Sequence, residues 1–126
     1  MTARFDLVTI DTPQPEMLVT FWCAALALHE SEREDGDRWI VLSDEGGTRR
    51  IGLQRGDHVD GGVHLDLWCA EECFEQEVHR LVGAGASLRR PARAEPYGAI
   101  ANLADPDGNA FDLCAYRHNG PAPVGW

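Results

Sequence analysis

The sequence lacks any apolar run near the roughly 20 residues that a membrane-crossing helix needs, and its opening residues, MTARFDLVTID, carry no basic segment followed by an apolar one. The expectation is a cytoplasmic protein with no membrane partner. Basic residues are scarce: 11 Lys and Arg stand against 21 Asp and Glu, a formal net charge of -10. No basic run is long enough to track a phosphate backbone, which argues against nucleic acid. An acidic surface would suit a cationic ligand, although solubility accounts for it first. Cysteine is limited to Cys23, Cys69, Cys73 and Cys114, with neither the C-x-x-C spacing of a metal site nor the density of a disulfide framework. These read as reduced, mostly buried thiols. A Gly-rich phosphate loop and a nucleophile elbow are also missing.

What is present suits one domain of 126 residues with 44% hydrophobic and 25% charged side chains. FDLVTI, residues 5–10, reads as a strand. DTPQPEMLVTFWCAALAL follows as an amphipathic helix, with Asp11 or Thr12 available to cap it and Met17, Leu18, Phe21, Ala25 and Leu28 on one face. RWIVLSD and RRIGLQRG are strand-like and are separated by the turn composition DEGGT. After Gly61 and Gly62 the order begins again: VHLDLWC is a strand, and AEECFEQEVHRLVGAGA is a helix with Phe74, Val78, Leu81 and Val82 on one face. ASLRRPA is a possible strand. GAIANLAD and NAFDLCAY are strands joined by the turn DPDG, and the tail HNGPAPVGW has little pattern. Each half holds one helix and a sheet with two faces, so pairing of the halves around a shared hollow is the sensible outcome.

Asp112 is the odd residue of the last strand, a carboxylate between Phe111 and Leu113. From the residues alone, facing solvent on a half-covered sheet is the better reading of it. His64, Asp66 and Trp68 fall on one face of the VHLDLWC strand by alternation. Trp22, Trp39, Trp68 and Tyr97 are the side chains best able to form a flat wall for an organic ligand, with ordinary packing as the alternative. Gln54 and Arg55 flank the strand RRIGLQRG, where Gln54 could orient a polar group or simply be solvated at the rim. His29, His58, His79 and His118 have no partner at ligand spacing.

The doubled order, the opening VHLDL, the helix end RLVGAGA and the closing DPDGNAFDL together resemble the glyoxalase, bleomycin-resistance and extradiol-dioxygenase superfamily, the vicinal oxygen chelate proteins, over about residues 4–116. The resemblance implies an α+β fold of two βαβββ modules, about 4–56 and 62–116, forming a half-open barrel with a central cavity and helices outside, commonly as a homodimer. It also implies four metal ligands in metal-dependent members, one each from the first and last strand of each module. His64 and Asp112 match the two second-module positions. The first-module positions fall on Leu7 and Gly52, which offer no donor, so the set matched is an incomplete site for a divalent metal. An alternative count places Asp66 where His64 stands.

The expected function is therefore a glyoxalase-like protein that binds or converts a small molecule without the full family metal site. His64 and Asp112 would act as a metal-free acid–base pair. Two alternatives stay open: a metal-dependent lyase or dioxygenase with non-standard ligands such as Asp66, and a non-catalytic drug-sequestering protein resembling the bleomycin-resistance proteins. The identity of the ligand and of any cofactor stays open.

Overall fold

The computed structural model describes residues 5–96 and 98–116. Residues up to Asp60 form one compact unit and those from Gly61 onward form another. In the first unit the elements are β1 (Val8–Thr12), α1 (Pro15–Leu26), β2 (His29–Glu34), β3 (Trp39–Ser43) and β4 (Arg49–Arg55). In the second they are β5 (His64–Ala70), α2 (Phe74–Ala84), β6 (Ser87–Glu95), β7 (Gly98–Ala104) and β8 (Ala110–Tyr116). Each unit is thus a βαβββ module in an α+β fold. Its four-stranded sheet is open, in the order β1-β4-β3-β2 or β5-β8-β7-β6. In both sheets the first and last strands of the module pair in parallel and the remaining neighbours pair antiparallel.

Both helices form where apolar residues recur at helical spacing, and α1 also has Pro at its start. Pro15 occupies the first turn of α1, where its missing N–H costs nothing. Thr12 does not cap the helix itself; its Oγ1 accepts from the Gln14 N–H at 3.0 Å, just ahead of the first turn, and Asp11 is exposed. Leu18, Phe21, Trp22 and Ala25 are buried on α1, as are Ile10, Ile40, Leu42, Ile51 and Leu53 on one face of the sheet. The register sets Ile10 and Ile40 opposite Leu53, and Leu42 opposite Ile51, so these side chains share a face. Each large aliphatic buried there contributes roughly 1.5–3 kcal/mol. In the second unit Phe111, Leu113 and Ala115 of β8 join Ala101 and Leu103 of β7 beneath Phe74 and Leu81 of α2.

Several sequence expectations are corrected. Met17 and Val82, read as core positions, are 43% and 42% exposed. The expected second helix begins later, with residues Glu71–Cys73 forming a separate 3-10 turn. β1 lies two to three residues beyond the expected strand. β2, HESERE, was not expected; it is exposed throughout and pairs only with β3 at the sheet edge. Of the thiols only Cys114 is buried, and Cys73 is exposed. His118 and the tail lie outside the described residues.

The β3–β4 and β7–β8 hairpins close by the same device. In DEGGT, Asp44 accepts the Thr48 N–H on its side chain and donates its own N–H to the Thr48 carbonyl, both at 2.9 Å. In DPDGN, Asp105 donates its N–H to the Asn109 carbonyl at 2.9 Å, and its carboxylate accepts from the Asp107 N–H, the Asn109 N–H and the Asn109 amide. Gly47 and Gly108 take the positive φ, 85° and 92°, that the fourth position of each turn requires.

Candidate functional site

The face of the second sheet opposite α2 carries polar groups where alternation leaves it free of the apolar core. His64, Asp66 and Trp68 project from β5, and Asp112 and Cys114 from β8. The register places Asp66 opposite Asp112 and Trp68 opposite Cys114. His64 Nε2 lies 2.9 Å from Asp112 Oδ2 and 3.6 Å from Asp66 Oδ1. Donor atoms of these three residues all fall within 4.8 Å of one another. The side chains differ in exposure: Asp112 is 15% exposed, His64 57% and Asp66 74%. Asp112 is therefore the shielded member, and His64 and Asp66 are open to a ligand. Trp68, 50% exposed, extends the same face by one strand repeat.

The other oxygen of Asp112 is also engaged. Asn102 of β7, directly opposite Asp112, donates from Nδ2 to Oδ1 at 2.5 Å. Arg93 of β6 donates to Asn102 Oδ1 at 2.8 Å. Neither Asn102 nor Arg93 was singled out by the sequence. Asn102 carries the same signal as Asp112, one polar residue inside an apolar strand; Arg93 is one of three arginines in LRRPAR and has no mark of its own.

In the first unit the corresponding face is built differently. A Cβ placed on Gly52 would lie 2.3 Å from Cη2 and 2.9 Å from Cζ3 of Trp39, and 3.1 Å from Leu7 Cδ1. The Trp39 indole thus occupies the space into which a side chain at position 52 would project, with Leu7 against it. Gly52 is required here for close approach, and the corner that could have held donors is filled by an aromatic ring and an aliphatic chain. Gln54 is exposed on β4 and pairs across the sheet with Trp39 and Asp11.

Of the remaining expected site residues, Trp22 is fully buried and packs edge-on against Phe21, with ring centroids 5.0 Å apart. It serves the core of its module and presents no surface to a ligand, which corrects the expectation of a ligand wall. Tyr97 lies outside the described residues. Near the end of β5 a concavity of about 690 Å³ is lined by Cys69, Cys73, Glu77 and His79 among others. Burial, followed by the nearby Glu77 carboxylate, pushes the Cys69 thiol up to about 11, so it stays protonated at neutral pH.

The Glyoxalase-like domain family matches the chain over residues 7–114. No curated protein matches it. Among solved structures, a glyoxalase/bleomycin resistance protein/dioxygenase family enzyme from Burkholderia phytofirmans PsJN is similar at 20% identity and a TM-score of 0.73, covering 89% of this chain and 98% of its own. A glyoxalase-related enzyme from Fulvimarina pelagi has the same identity and TM-score over 98% of this chain and 99% of its own. A mutant of the fosfomycin resistance protein FosX from Listeria monocytogenes, complexed with manganese(II) and 1S,2S-dihydroxypropylphosphonic acid, is 17% identical with a TM-score of 0.74 and covers 94% of each chain. At these identities the similarity speaks to the fold.

Proposed function

The chain belongs to the glyoxalase-like domain family, and from that premise we propose that it binds a small organic molecule on the polar sheet face of its second module and moves a proton on it through His64. The observation that supports this reading is the 2.9 Å contact between His64 Nε2 and Asp112 Oδ2. A carboxylate only accepts, so Nε2 keeps its hydrogen and Nδ1 carries the lone pair. Nδ1 is then the base that takes a proton from an acidic C–H or O–H of the ligand. The imidazolium so formed lies between Asp112 and Asp66, whose negative charges stabilise it until the proton is returned. Trp68 offers a flat apolar surface farther along the same sheet face.

A second reading is favoured by the clustering of three donors. One imidazole nitrogen and two carboxylates are a chemically suitable set for a divalent ion, although Leu7 and Gly52 contribute nothing to it. His64, Asp66 and Asp112 would hold the ion, which would supply Lewis-acid polarisation of a ligand oxygen. The two readings exclude each other at one atom: a metal on Nε2 requires the loss of the hydrogen that Asp112 accepts. Calorimetric titration of chelator-treated protein with manganese(II), zinc(II) and nickel(II) decides between them. The acid–base reading expects no ion bound more tightly than about 1 mM, a free energy near 4 kcal/mol. One ion per chain held at micromolar affinity, and lost in both H64A and D112A, overturns it.

A further inference from the structure

Four side chains, one from each strand of the second sheet and in their spatial order, form a continuous line of hydrogen bonds. His64 on β5 meets Asp112 on β8 at 2.9 Å, Asp112 accepts from Asn102 on β7 at 2.5 Å, and Asn102 accepts from Arg93 on β6 at 2.8 Å. The direction of this line is fixed at its cationic end. A guanidinium donates and has no acceptor, so the Asn102 atom facing Arg93 must be the oxygen. The amide nitrogen of Asn102 is thereby turned toward Asp112, and with Oδ1 engaged, Oδ2 is the oxygen presented to His64. Arg93 is steadied in turn by the Pro91 carbonyl at 3.4 Å and the Glu95 carboxylate at 3.6 Å. Its side chain is 27% exposed and that of Asp112 15%, so water competes for these contacts less than at an open surface.

We propose that Asn102 and Arg93 are positioning residues for His64: acting through Asp112, they hold the imidazole in its Nε2–H form and so make Nδ1 the basic nitrogen. This rests on the acid–base reading above. Without the Asn102 amide the Asp112 carboxylate is free to rotate, and without Arg93 the Asn102 amide is free to flip and set its oxygen against Asp112, which repels it. Either loss returns the imidazole toward the tautomer mixture of an unrestrained histidine.

The test needs no substrate. Nitrogen-15 chemical shifts of the two ring nitrogens of His64, recorded on chelator-treated full-length protein at a pH where the ring is neutral, report the tautomer directly. Unmodified protein should give widely separated shifts with Nε2 protonated. N102D, nearly isosteric but without a donor, and R93M should both bring the two shifts toward each other, whereas R93K, which still only donates, should keep them apart. Circular dichroism of each variant checks that the fold is intact, which separates a positioning effect from unfolding. If D112A averages the shifts while N102D and R93M leave them separate, the positioning inference is wrong and the His64–Asp112 pair stands. If unmodified protein already shows averaged shifts, the pair itself is wrong, and the positioning inference falls with it.

Discussion

Asp44 and Asp105 hold equivalent turns, yet their substitution should differ in cost. Asp105 is buried and accepts from two backbone N–H groups and one side-chain amide. Its replacement by Ala strands those donors away from water and should cost about 3 kcal/mol. Asp44 sits at a more open turn, and D44A should cost about 1 kcal/mol. Urea unfolding of the two variants side by side checks the ratio. The thiols offer a second contrast at this scale. Cys73 is exposed, whereas burial and neighbouring charge suppress ionisation of Cys69, so at pH 8 iodoacetamide should label Cys73 at least tenfold faster, read by peptide mass spectrometry. At the scale of single residues the sequence was legible where a polar group interrupts an apolar strand. Asp112 was visible for that reason. Arg93 was hidden among similar arginines: the register sets Arg90 opposite Asn102, yet it is the side chain of Arg93, which stands opposite Ile100, that reaches the amide. Trp22 could be read either as ligand wall or as core, because an aromatic side chain looks the same in a sequence whether its helix face is covered or open; it is buried.

At the scale of elements, β3 and β4 are locked together by the Trp39 ring lying over Gly52. G52A should force that ring to move and cost about 1–3 kcal/mol, while in a W39A background the same change should cost far less. Thermal or urea unfolding of the four-member cycle measures the coupling, and equal costs in both backgrounds would contradict the packing described. The seven strands with apolar or alternating residues could be read from the sequence, in one case only as a possibility. β2 could not, because HESERE has no apolar face; it is a strand through backbone pairing with β3 and through charge contacts such as Arg33 with Glu30 and Arg49 with Glu32. The edge position explains its composition, since charged side chains discourage further strand addition. That Leu7 and Gly52 carry no donor was legible, but the packing of Trp39 over Gly52 was not, because the approach of Trp39 is a matter of register and rotamer.

For the molecule as a whole, carboxyls held by specific partners set the response to acid. Arg33 holds the Glu30 carboxyl below its ordinary range, Arg55 does the same for Asp37, and the Thr48 N–H together with Arg50 does so for Asp44. A carboxyl whose folded value is depressed contributes stability above its unfolded value and loses it as pH falls through the folded one. Stability should therefore be nearly level down to about pH 5 and decline below 4.5, the ordinary value for Glu30, as followed by urea midpoints across pH. These groups lie at the surface, so the decline should be shallow and weakened by salt.

The parallel pairing of β5 with β8 at one edge of the second sheet has a kinetic corollary. The sheet's antiparallel neighbours, β6 with β7 and β7 with β8, are close in sequence, but His64 and Asp112 stand 48 residues apart in the chain. Long closures are made after local ones, because the chain must surrender more freedom before any contact rewards it. The imidazole and its carboxylate therefore meet late in refolding, and a partly assembled chain lacks their contact until the last ribbon has docked.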